Sequence, residues 1–221
     1  MNKLQAVLFD LDGTLIDSEY FYFKNWAPIL QQEFDLKITY EDWIRDFAGH
    51  TLAHNVKRLV EVCGYDTTEE YMWKRTRAAY ADSNMSDIEL MPFAEEILAY
   101  LQEQQIRIGL VTSSYRSTVD TVLGKHGLLR YFEFFVTREC VESPKPDPEP
   151  YLLALKKLDL PGEACVAIED TITGSTAALA AGLQLIAVTK QAVERARLTT
   201  VENIVENLSE AKEMLAKWIS Q

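Results

Sequence analysis

Asp10 and Asp12 stand two residues apart at the end of an apolar run, Val7-Leu8-Phe9, and lead straight into Gly13-Thr14. Two carboxylates held side by side repel each other, so the pair costs free energy unless a cation or a shared proton compensates it. A period of two turns both side chains to one face for as long as the backbone stays extended. Further polar groups close other apolar runs. Thr112-Ser113-Ser114 follows Val111, Glu169-Asp170 follows Cys165-Val166-Ala167-Ile168, and Lys145 sits within Ser143-Pro144-Lys145-Pro146-Asp147-Pro148. Four carboxylates, one lysine and a hydroxyl form a hard-oxygen donor set, which suits Mg²⁺ rather than zinc or iron. A turn would account for Asp12-Gly13 alone, and a helix cap for Glu169-Asp170 alone. Neither accounts well for the four positions together.

The elements around these residues determine whether they can meet. Residues 4–10 read as a buried strand, whereas 19 to about 84 read as helices without a convincing strand. Tyr20, Phe23, Trp26, Ala27 and Leu30 recur at helical spacing, as do Val56, Leu59, Val60 and Cys63. After Met91-Pro92 an alternation begins, with helices over 93–104, 116–124, 148–158 and 174–181 and strands over 106–111, 134–136, 165–168 and 185–188. Strands separated by single helices imply a parallel sheet with right-handed crossovers. The expected architecture is a doubly wound, Rossmann-like α/β core of residues 1–17 and 88–221, with an all-helical module over 18–87. In a parallel sheet every strand C-terminus lies on one edge, so groups spread over 160 residues converge there. Lys145 joins them just before a helix that Pro148 can open from its first turn.

Bulk properties narrow the function. A chain of 221 residues, 48% hydrophobic, can bury one large domain or a core plus a smaller module. No apolar run reaches the roughly 20 residues of a membrane helix, and Met1-Asn2-Lys3 leads into a strand rather than a leader. Cys63, Cys140 and Cys165 are scattered and lack metal-ligand spacing, which suits a reducing cytoplasm. The formal charge of −12 argues against a nucleic-acid-binding surface. It also means that a phosphorylated substrate must be met by a local positive device.

The chain resembles the haloacid dehalogenase-like hydrolase superfamily, in the subgroup with a helical cap after the first strand. The resemblance rests on Asp10-Leu-Asp-Gly-Thr-Leu-Ile-Asp17-Ser18, Val111-Thr112-Ser113-Ser114, Ser143-Pro-Lys145-Pro-Asp-Pro and Ile168-Glu169-Asp170-Thr-Ile-Thr-Gly174, in this order and spacing. It implies that Asp10 is a nucleophile, Asp12 a general acid and base, and Thr112 a holder of the transferring phosphoryl group, with Lys145 balancing its charge. Mg²⁺ would fall to Asp10, Glu169 and Asp170, with Asp12 in the same ligand set. The dehalogenases of the superfamily lack the acid that Asp12 provides, so its presence argues for phosphoryl chemistry. Substrate choice would fall to the cap, where Gly49-His50-Thr51 occupies the place of a substrate-facing loop and Gly49 permits a tight turn. Ser113, His50 and Arg116 are the candidate substrate contacts. The expected activity is Mg²⁺-dependent hydrolysis of a small soluble phosphate monoester, that of a sugar or polyol, through an aspartyl-phosphate. The expected setting is cytoplasmic, as a monomer or weak dimer, with no nucleic-acid or membrane partner.

The resemblance also frames the alternatives. Hexose-phosphate mutases of the β-phosphoglucomutase type carry a histidine early in the cap, but residues 17–23 here contain none. They also carry a lysine before the cap-loop glycine and an arginine three residues after it, where this chain has Ala48 and Leu52. Much of the clamp on a second phosphate is therefore missing. Phosphonate hydrolysis would need a Schiff-base lysine in the cap, and nothing around Lys57 marks it as one. A non-catalytic relative would be expected to lose Asp10, Asp12, Lys145 or Asp170, yet all four are present.

Overall fold

The structure, a computed structural model, describes residues 4–48, 50, 52–190 and 192–220. Strand β1 (Ala6–Phe9) is followed by four helices, α1 (Ser18–Phe34), α2 (Tyr40–Asp46), α3 (Leu52–Glu61) and α4 (Glu69–Asp82). Helices and strands then alternate: α5 (Ala94–Glu103), β2 (Arg107–Val111), α6 (Arg116–Lys125), β3 (Phe134–Val136), α7 (Glu149–Leu158), β4 (Cys165–Glu169), α8 (Ile172–Ala180), β5 (Gln184–Val188), α9 (Ala192–Arg197), β6 (Ile204–Val205) and α10 (Leu208–Ile219).

The strands form one six-stranded sheet in the order β3-β2-β1-β4-β5-β6, and every pairing is parallel. Phe9 at the end of β1 aligns with Leu110 on one side and Ile168 on the other. All four β1 residues are fully buried, as expected of a strand covered on both faces. The α/β class is as expected, while several boundaries moved. β1 stops at Phe9 rather than Asp10, because the chain then turns: Gly13 N–H donates to Ile16 O and Leu15 N–H to Leu11 O. The helix expected from 174 begins at Ile172, where the Thr171 hydroxyl caps it by accepting from Gly174 N–H.

Backbone packing divides the chain into a sheet-bearing unit, up to Asp17 and from Glu89 onward, and a helical unit, Ser18–Ile88. The helical unit has its own core, in which Trp26, Leu30, Trp43, Leu59 and Met72 are buried. Trp73 lies outside that core: it is 50% exposed, with the Arg77 guanidinium 5.5 Å from its ring centre. No helix among the described residues is long and apolar enough to cross a membrane.

Candidate active site

The sheet brings the strand-end groups together around one lysine. Asp10 leaves β1 still tied to the sheet, its N–H donating to Ile168 O at 2.9 Å. The Lys145 ammonium donates to Asp10 Oδ1 at 2.6 Å, Glu169 Oε1 at 2.6 Å and Val111 O at 2.8 Å. An ammonium has three protons, and here each has an acceptor. The side chains of Lys145, Asp10 and Glu169 are 4%, 10% and 1% exposed, so this exchange takes place out of water.

Burial pushes the Asp10 carboxyl up to about 7; Lys145 opposes the rise, while Glu169 and Asp12 add to it. Burial alone would lower the Lys145 ammonium, but the Asp10 and Glu169 carboxylates outweigh it and hold the lysine above its ordinary range. The lysine is thus firmly charged, and the negative charge around it is in excess.

That excess has a place to be neutralised. Asp10, Glu169 and Asp170 each offer an oxygen, and these atoms all lie within 4.8 Å of one another. Two glycines make the room. A Cβ on Gly13 would run into the Asp170 carboxylate, and one on Gly174 would run into that of Glu169. Three carboxylates with one lysine among them fit a hard divalent cation such as Mg²⁺.

Asp12 differs from its expected place as a metal ligand. Among the described residues it is not in that carboxylate group. Its Oδ2 accepts from Ser114 Oγ at 2.7 Å, and its Oδ1 is buried without a hydrogen-bond partner. Thr112 is 3% exposed, and its hydroxyl accepts from Ser114 N–H at 3.0 Å. Ser114, rather than the exposed Ser113, therefore links the β2 end to Asp12. Arg116 pairs with Asp120 at 2.7 Å and lies 4.3 Å from the Phe135 ring centre, so its charge is already engaged. His50 belongs to the helical unit and stacks on His54 with centroids 3.9 Å apart. Gly49 and Thr51, read with His50 as a substrate-facing loop, lie outside the described residues.

Tyr151 was missed. It is fully buried on α7, its O–H donates to Glu169 Oε1 at 2.5 Å, and Lys145 Nζ lies 5.2 Å from its ring centre. In sequence it merges with Ala154, Leu155 and Leu158 as an apolar helix face. Its only signal is its position six residues after Lys145, on the helix that Pro148 opens. Tyr151 acts as a positioning residue, holding the Glu169 oxygen that Lys145 also uses. Tyr151→Phe is expected to lower kcat about tenfold, the scale of one charge-assisted hydrogen bond. The Mg²⁺ concentration for half-maximal rate should shift with it. A packing role alone would lower the melting temperature and leave the Mg²⁺ titration unmoved.

Comparison with known proteins places this geometry among relatives. The sequence profile described as haloacid dehalogenase-like hydrolase matches residues 7–188. A phosphorylated carbohydrates phosphatase of Thermotoga maritima is 30% identical over 183 residues, covering 83% of this chain and 84% of the relative. A phosphoglycolate phosphatase of Nitrosococcus oceani is 26% identical over 224 residues, covering 98% and 99%. Among solved structures, a HAD family hydrolase of Deinococcus radiodurans with bound phosphate and sodium superposes with a TM-score of 0.81 at 26% identity, covering 99% and 97%.

Proposed function

From the premise that the chain belongs to the haloacid dehalogenase-like hydrolases and is a phosphatase of that family, we propose that it hydrolyses sugar or polyol phosphate monoesters with Mg²⁺, through an aspartyl-phosphate on Asp10. The observation that carries this reading is the buried lysine with a carboxylate on either side, at the edge where β1, β2 and β4 end. Asp10, Glu169 and Asp170 would hold the metal. When bound, Mg²⁺ would neutralise their excess charge and polarise a phosphoryl oxygen.

The protein's own groups account for the remaining steps. An oxygen of Asp10 attacks phosphorus, and the bond from phosphorus to the ester oxygen breaks. The leaving oxygen takes a proton from Asp12, whose orientation Ser114 fixes. Lys145 stays charged throughout and offsets the charge that builds on the phosphoryl group. Water then attacks the aspartyl-phosphate, Asp12 accepts its proton, and the bond between Asp10 and phosphorus breaks to release phosphate. The helical unit serves as the cap that selects the ester. The setting is the cytoplasm, where Cys63, Cys140 and Cys165 remain thiols.

The test is phosphate release from a panel of sugar, polyol and nucleotide monophosphates with and without Mg²⁺. Release that needs Mg²⁺ and favours sugar or polyol esters supports the proposal. Isomerisation of a hexose phosphate without release would overturn it.

A further inference from the structure

The helical unit contains a pocket of about 320 Å³, lined entirely by its own residues. Its walls are largely aromatic, including Trp26, Trp43 and Tyr80, and two side chains of opposite charge, Glu19 and Arg77, line it with them. Parts of the wall are fixed from within. Trp26 Nε1–H donates to the Tyr80 hydroxyl at 2.7 Å, and Trp43 Nε1–H donates to Glu19 Oε2 at 2.8 Å. Both indole N–H groups are therefore committed to the protein, leaving ring surface as their contribution to a ligand.

We infer that this pocket binds the ring of a monosaccharide, as a hexose monophosphate presents it; the inference rests on the phosphatase reading for the phosphate group alone. Size comes first. A volume of about 320 Å³ lies at the lower end of ordinary small-molecule sites, roughly 300–1,000 Å³. It suits one ring, and it would leave a two-carbon acid in contact with little of the aromatic wall.

Charge comes second. A fixed cation such as a quaternary ammonium would favour the rings and Glu19, but Arg77 in the same wall opposes it. A neutral ligand bearing both donors and acceptors satisfies both charges: hydroxyls donate to Glu19 and accept from Arg77.

Shape comes third. Trp26 and Trp43 meet at 56°, with centroids 5.6 Å apart. The near-parallel pair, Trp43 and Phe47, has centroids 5.5 Å apart, too close to admit a flat base between them, which needs about 7 Å, or two van der Waals layers. An angled aromatic wall matches the C–H face of a puckered ring, with its hydroxyl edge toward the two charges.

The experiment is an indole-fluorescence titration of full-length Asp10→Asn protein, which prevents turnover, with glucose 6-phosphate, AMP, choline phosphate and 2-phosphoglycolate. Glucose 6-phosphate should give the tightest saturable change. Glu19→Gln, which keeps an acceptor for Trp43, and Arg77→Ala, at an exposed position, should each weaken it about fivefold or more, the scale of one hydrogen bond. Circular dichroism checks that each variant is folded. Tighter binding of AMP, choline phosphate or phosphoglycolate would overturn the inference. So would the absence of any saturable change, or folded variants that both stay within twofold. Wild-type hydrolysis of p-nitrophenyl phosphate, run alongside, separates the two ideas. Turnover without sugar binding removes the pocket and keeps the phosphatase, whereas sugar binding without turnover of any ester does the reverse.

Discussion

Asp10→Asn is expected to lower phosphate release by about 10⁴-fold or more and, at the same time, to stabilise the metal-free protein above pH 7. The first effect follows from replacing an attacking carboxylate with an amide of nearly the same shape. The second follows from burial. Asp10 is 7% exposed beside Glu169 and Asp12, and its carboxyl rises from the ordinary 3.8 to about 7. A carboxyl raised in the folded state holds its proton more tightly there than in the unfolded chain. Its favourable contribution is therefore complete below about pH 4 and is lost as pH climbs to about 7. The loss is about 4 kcal/mol at most. Asparagine has no such proton to lose. Urea denaturation with a chelator at pH 5 and pH 8 should show a drop in the wild type that the variant largely lacks. Equal drops in both proteins would contradict this account of Asp10.

Lys145→Met should cost about 3–5 kcal/mol of stability and abolish turnover. Methionine nearly fills the space, so the loss isolates the charge. Asp10 and Glu169 would then share a buried site with no ammonium between them, and breaking a buried ion pair from one side has that scale. Adding Asp10→Asn removes one of the stranded charges. The double variant should therefore be more stable than the sum of the single effects predicts, by about 1–3 kcal/mol. Additive costs in a urea double-mutant cycle would mean that Lys145 contributes packing rather than charge.

What the sequence made legible follows from how much each element shows. β1 and β4 are buried on both faces, so Val7-Leu8-Phe9 and Cys165-Val166-Ala167-Ile168 stand out as continuous apolar runs. Once those runs are read as parallel strands, topology alone brings Asp10, Thr112 and Glu169 to one edge. β6, with two residues, is too short to display a period, and it went unseen. Tyr151 was hidden for the opposite reason, because an aromatic residue at helical spacing looks like core, and it is core. Only the packed fold turns its hydroxyl toward Glu169. Asp12 and Ser114 show the same limit, since spacing brought both near the site without revealing that they bond to each other. The aromatic pocket is likewise invisible in sequence, where Trp26, Trp43 and Tyr80 are separate helix positions.

The three acceptors around Lys145 also make its amine chemically reticent. An acylating reagent needs a free lone pair and an approach path, and this nitrogen offers neither while all three protons are held and the side chain is 4% exposed. Exposed amines such as Lys57 and Lys74, at 69% and 65%, have the approach path. In a timed labelling experiment read by peptide mass spectrometry, Lys145 should be among the last lysines to react. Its rate would then serve as a clock for how often the β1, β2 and β4 ends part, without any substrate being needed.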